Sequence, residues 1–122
     1  MPAVLCWTDI PVLDLDRAIT FYSAVLGEEV VKQSFDNSSF GLLPHANDNV
    51  SGCLYISEEN KPSQQGPLLY LNAAGRLDQA IEAVEQNGGK VLKGKHPIGP
   101  HGFRAIFVDS EGNKLALHSP TP

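Results

Sequence analysis

The sequence predicts an α+β domain assembled from two βαβββ modules, and three observations support that expectation. One amphipathic helical pattern occurs twice in 122 residues, offset by 62 positions: Leu15-Asp16-Arg17-Ala18-Ile19 returns as Leu77-Asp78-Gln79-Ala80-Ile81. A run of β-forming residues precedes each copy and glycine follows it. Three further strand candidates complete each half. Self-similarity over half the chain outweighs any single motif, because one supersecondary unit cannot bury its apolar face alone.

The elements follow in order. Residues 4–12, "VLCWTDIPV", are rich in β-formers and end at a proline-containing edge, which reads as a strand. Asp14 offers an N-cap side chain, and Leu15, Ala18, Ile19, Tyr22, Val25 and Leu26 form the i, i+3, i+4, i+7 stripe of a helix. Gly27 stops that helix, and "EEVVKQSF" follows as a strand, then "SSFGLLP" (38–44) and "SGCLYIS" (51–57). The second half repeats the plan. "PLLYLNAA" (67–74) is a strand, "RLDQAIEAVEQ" a helix ended by Gly88-Gly89, and "KVLKG", "FRAIFVD" (103–109) and "KLALHS" (114–119) are strands. The polar segment "EENKPSQQGP" (58–67), with two prolines, is the natural connection. Module one then covers about residues 3–58, the linker about 59–66 and module two about 67–120 of a single domain, 1–122.

Composition narrows the function classes. Apolar residues make up 42% and charged residues 19%, and the formal net charge is -5, a globular balance able to bury a core. No Lys/Arg-dense stretch exceeds the Lys90 to Lys95 neighbourhood, so nucleic acid is not an expected partner. The apolar runs are too short to span a bilayer, and "MPAVLCWTDIPV" lacks the basic start of a signal peptide. Cys6 and Cys53 stand far apart, so free thiols in a reducing cytoplasm are expected. No GxSxG, P-loop or dinucleotide fingerprint is present.

Two stretches, "DIPVLDLDRAITFYSAVLGEEV" (9–30) and "FVDSEGNKLALHS" (107–119), resemble the vicinal oxygen chelate superfamily, which includes glyoxalase I, extradiol dioxygenases and bleomycin-resistance proteins. "LYLNAAGRLDQAI" and "GPHGFRAIFVDSEGN" look most like its small lactoylglutathione lyase-related branch. The resemblance covers essentially the whole chain. It implies a glyoxalase/bleomycin-resistance-like fold, with paired half-barrel sheets around a cleft, and a homodimer.

Enzymes of that group hold a divalent ion on His or Glu from the first and last strand of each module, where an open coordination position polarises a substrate oxygen. Carried over, those positions fall on Trp7, at or near Leu69, and on Ala116, with Ser51, Gly52 and Cys53 as candidates for the fourth. A Trp, a Leu and an Ala cannot ligate a cation, so neither a metal nor another cofactor is expected. His45, His96 and His101 share no ligand spacing and are assigned no metal.

Strand alternation supplies the remaining candidates. If Trp7 faces the cleft, so does Asp9; if Ala116 does, so does His118. Asp9 and His118 are therefore candidate catalytic acid/base groups, or else a local cap and a frayed strand end. Trp7 is a candidate platform for a planar ligand, or a core residue. The loop "KGKHPIGPHGF" (93–103) is placed to cover the cleft mouth, which adds His101 and Phe103 to the ligand-binding set of Trp7, Leu69, Cys53 and Ala116. Two functions follow. One is a small-molecule-binding protein taking a planar or amphipathic ligand. The other is a glyoxalase-related lyase or isomerase, using Asp9 and His118 or a metal site of another kind.

Overall fold

The structure, a computed structural model, describes residues 4–46 and 51–122. Its element order is β1 (Trp7–Pro11), α1 (Leu15–Leu26), β2 (Val31–Phe35), β3 (Ser38–Leu42), β4 (Ser51–Tyr55), β5 (Tyr70–Asn72), α2 (Leu77–Gln86), β6 (Lys90–Pro97), β7 (Phe103–Val108) and β8 (Lys114–Ser119). That is βαβββ twice. Each module forms its own four-stranded sheet, in the orders β1-β4-β3-β2 and β5-β8-β7-β6. In both sheets the first strand runs parallel to the last and the other pairs are antiparallel.

Local chemistry explains the boundaries of α1. Asp14 sits in extended backbone and its carboxylate accepts the Arg17 N–H, so one of the orphan donors of the first turn is satisfied. At the other end Gly27 adopts φ 72° and returns its N–H to the Ser23 carbonyl. A methyl group there would also meet the Arg76 guanidinium at 2.7 Å. The β2–β3 hairpin turns through Asp36 and Asn37, both at positive φ, as a two-residue turn matched to strand twist requires.

The modules share one core. Ile10, Leu15, Tyr22, Val25 and Leu54 of the first half join Leu77, Val84, Phe107, Leu115 and Leu117 of the second in a single buried cluster. Helix α1 packs on α2. The Phe21 ring, fully buried, lies 5.0 Å from Tyr22 edge-on and 6.1 Å from Phe107. Each such side chain contributes roughly 1.5–3 kcal/mol by leaving water. Polar contacts bind the same seam: Arg76 donates to the Val25 carbonyl, and Tyr22 to Asp109 Oδ2 at 2.5 Å.

The turn between β7 and β8, "DSEGN", carries three of the four buried polar residues among the described ones, Asp109, Glu111 and Asn113. Asp109 Oδ1 accepts the backbone N–H of Glu111, Gly112 and Asn113 at 2.8–2.9 Å. Asn113 Nδ2 donates to the Pro11 carbonyl, and its Oδ1 accepts from the Ser63 N–H. The side chains of Asp109 and Asn113 are thus spent on structure.

Most strands are shorter than the sequence expectation, and three segments illustrate the differences. The strand expected over 67–74 narrows to Tyr70–Asn72, although the Leu69 carbonyl still accepts the Ala116 N–H at 2.8 Å. The expected loop 93–103 is largely strand: β6 runs to Pro97 through register shifts between Val91 and Lys93 and between Lys93 and His96, and a short 3-10 turn covers Gly99–His101. Such bulges break the period-2 pattern that marks a strand in sequence. The first strand starts at Trp7 rather than residue 4. Among the described residues no helix is long and apolar enough to cross a membrane.

Candidate functional site

Each sheet spends one face on the core and leaves the other open. On β1 the core takes Ile10, while Trp7 and Asp9 are exposed. Register then sets their companions: Trp7 stands opposite Ser51, Asp9 opposite Cys53 and Pro11 opposite Tyr55, with Leu42 beyond Cys53. Trp7 keeps 49% of its surface in solvent, yet its ring is anchored, because Nε1 donates to Asp9 Oδ1 at 2.8 Å. The Cys53 thiol donates to the same oxygen at 3.3 Å. Burial, followed by the bond and charge of Asp9, pushes this thiol up to about 11. It is protonated at neutral pH and is a poor nucleophile.

The open face of the second sheet is built differently. Tyr70 pairs with Ala116 and Asn72 with His118, and across β8 His118 faces Arg104 and Ala116 faces Ile106. Arg104 organises this face. Its Nε donates to His96 Nε2 at 3.0 Å and its Nη1 to the Tyr70 hydroxyl at 2.7 Å. His96 must accept through Nε2, so its proton resides on Nδ1, which donates to the Gly94 carbonyl at 2.7 Å. The Tyr70 ring, 47% exposed, lies 6.3 Å from the His118 ring. His118 Nε2 donates to the His101 carbonyl at 2.6 Å.

Between the β1 and β5 edges lies a cavity of about 940 Å³, whose walls include Trp7, Leu43, His45, Leu69 and Tyr70. A smaller one of about 260 Å³ is bounded by Asp9, Pro11, Leu69, Asn113 and Lys114. The first is large enough for a drug-sized molecule.

The expected residues are distributed as follows. Trp7, Asp9 and Cys53 are brought together on one open face, and Ala116 and His118 lie on the other. Asp9 bonds Trp7 and Cys53, whereas His118 bonds His101; no hydrogen bond joins Asp9 to His118. Ala116 is fully buried between its neighbours. Phe103 packs against the core cluster, and His101 contributes its backbone carbonyl. Leu69 borders both cavities and packs against the core, but the residue opposite Ala116 is Tyr70. The helix alignment puts module-two positions 62 residues on, yet Asn72 to Leu77 is one residue longer than Pro11 to Leu15. A one-residue slip exchanges the two faces of a strand.

Sequence reasoning therefore missed Tyr70, and with it Arg104 and His96. The signal for Arg104 was its alternation with Ala105 and Phe107, the buried residues of β7.

The side chains at the ligand positions of the resemblance do not fit a divalent ion. Trp7 offers only an N–H donor and Ala116 a methyl group. Among the described residues no three His, Cys, Asp or Glu side chains come together as a candidate metal cluster.

Comparison with known proteins agrees with the topology. A Glyoxylase-like domain-containing protein of Didymella fabae is 31% identical over 119 residues, covering 89% of this chain and 88% of its own. A glyoxalase/bleomycin resistance protein from Albidiferax ferrireducens T118 superposes with a TM-score of 0.75 at 18% identity, over 96% of this chain and 98% of that one. A variant of glyoxalase I from Zea mays gives 0.74 at 24% identity; the match covers 94% of this chain but only 45% of the maize enzyme. Both structural likenesses concern the fold. Residues 5–117 match the family of the Glyoxalase/Bleomycin resistance protein/Dioxygenase superfamily, and to that superfamily the chain belongs.

Proposed function

We propose that this chain is a small-molecule-binding protein that works as a homodimer in the cytoplasm, without a family-type metal, and takes a planar or amphipathic ligand against its open sheet faces. The observation that carries the reading is Trp7. An indole half-exposed beside a cavity of about 940 Å³, with its N–H tied to Asp9, presents a fixed flat apolar surface. Phe35, 76% exposed, and Val31 extend that apolar face and favour cover by a second copy. An acid/base pairing of Asp9 with His118 draws less support, since each is already engaged elsewhere.

The test exploits the single tryptophan. Protein purified without chelator is assayed for metal, its mass is measured by light scattering, and Trp7 emission is followed while the uncharged dye N-phenyl-1-naphthylamine is added. Energy transfer to a saturable site, a dimer mass and substoichiometric metal are expected. Stoichiometric divalent metal, or no saturable dye binding, would refute the proposal.

A further inference from the structure

The two open faces are chemically opposite. That of the first sheet, with Trp7, Phe40, Leu42 and Tyr55, carries Asp9 as its one acidic residue and no Lys or Arg among the described residues. On the second sheet register puts Lys90, Lys93, Arg104 and Lys114 on the face that Tyr70 and His118 share, and no Asp or Glu. Lys95, whose side chain pairs with Asp78 of α2, belongs to the helix side. None of the salt bridges among the described residues involves the four cations of the open face. A chain of net charge -5 has thus gathered uncompensated positive charge at one place.

Arg104 is prepared for an external acceptor. The neutral His96 ring and the Tyr70 hydroxyl each take one of its five N–H groups, which orients the guanidinium without neutralising it. The remaining three N–H groups have no protein acceptor among the described residues. A planar fork held in place by neutral partners suits a carboxylate, sulfonate or phosphonate, which it can bind bidentately. Tyr70 supplies the adjoining flat surface, with the Arg104 Cζ 5.9 Å from its ring centroid.

We infer that the open face of the second sheet is an anion-binding site centred on Arg104, so that the ligand is an organic anion: an apolar or aromatic body with one acidic head group. This rests on the small-molecule reading above and specifies its ligand class.

Two dyes of similar body separate the claims. 8-Anilinonaphthalene-1-sulfonate carries an acidic group that N-phenyl-1-naphthylamine lacks. The sulfonate is expected to bind about tenfold tighter or more, with an affinity that falls as NaCl rises. Arg104→Gln should bring the two affinities to within about twofold of each other while leaving the uncharged dye unaffected. Arg104→Lys should retain part of the preference and the salt dependence, which keeps the test decisive if the Gln variant folds poorly. Lys32→Gln, a change on the helix side, should leave the preference intact. Equal binding of both dyes by the unaltered protein, an unchanged preference in Arg104→Gln, or an equal loss in Lys32→Gln would overturn the inference while small-molecule binding stood. Failure of both dyes to bind would remove both.

Discussion

Glu111 holds Arg17 across 94 residues of chain: Arg17 Nε reaches Glu111 Oε2 at 2.7 Å and Nη2 reaches Oε1 at 2.9 Å. The same carboxylate accepts the backbone N–H groups of Leu13 and Asp14 and the Ser110 hydroxyl, so it caps the start of α1 from the opposite module. Its side chain has no solvent exposure, whereas that of Arg17 is half exposed. Burial alone would push this carboxyl up; the Arg17 bond, the two N–H groups and the hydroxyl outweigh it and bring it down to about 2.

Acid stability follows from that shift. The folded carboxyl titrates below its ordinary 4.5, so the unfolded chain binds more protons between about pH 4.5 and 2. The stabilisation is fully present above that window and is lost as pH falls through it. Its size is at most about 3 kcal/mol, reduced by solvent screening around the half-exposed Arg17. Urea unfolding at pH 6 and pH 3 should show the unaltered protein losing more stability on acidification than Glu111→Gln. Parallel losses would mean that this carboxyl is not held low.

Tyr22 makes a second connection. Its phenol is fully buried on Asp109, and burial, with the Asp109 charge and bond, pushes its ionisation well above the usual range. Tyr22→Phe leaves Asp109 Oδ2 with Asn113 Nδ2 as its remaining side-chain donor, at a cost of roughly 1–3 kcal/mol. Alkaline difference spectra of the unaltered protein against the variant should contain no phenolate band before unfolding. A band appearing in the folded protein would show that the hydroxyl is not sealed in the seam.

Close approach, not turn geometry, explains Gly89. A methyl group there would lie 2.6 Å from the Val108 carbonyl oxygen and 2.7 Å from Phe21 Cε2. Backbone and a packed ring cannot both retreat, so Gly89→Ala should cost roughly 1–3 kcal/mol and disturb the near-ultraviolet aromatic spectrum. Gly94→Ala, where an added methyl group meets nothing within 4 Å, is the control and should stay within about 0.5 kcal/mol of the unaltered protein. Equal effects at the two positions would refute the packing argument.

How far the fold could be read in advance depended on the range of the interactions. The Asp14 cap, the Gly27 stop and both helix stripes act within a few residues, and all appear where their spacing put them. "DSEGN" reads as a turn because its local pattern is one; that Asp109, Glu111 and Asn113 are buried depends on Tyr22, Arg17 and Pro11, which only folding brings near. The open face of the second sheet was less legible. One extra residue ahead of α2 puts Tyr70, and not the Leu71 that the helix offset assigns, at the counterpart of Asp9, and the shifts in β6 hide the pairing of His96 with Arg104.

Cys53 provides a chemical test of the Trp7 face. Burial first, then Asp9, keep its thiol protonated to about pH 11, while Cys6 is exposed. With Cys6 replaced by Ser, iodoacetamide should alkylate the native protein slowly at pH 8 and rapidly once it is denatured. Asp9→Asn removes the carboxylate that holds the proton on sulfur, and alkylation at pH 9 should accelerate by roughly 3–10-fold, since each pKa unit is worth a factor of ten in thiolate. The same change leaves an amide oxygen for the indole N–H to reach, so Trp7 emission should alter little. Rapid alkylation of the native unaltered protein, or no acceleration in Asp9→Asn, would show that Asp9 does not control the sulfur, and the geometry that fixes Trp7 beside it would lose its support.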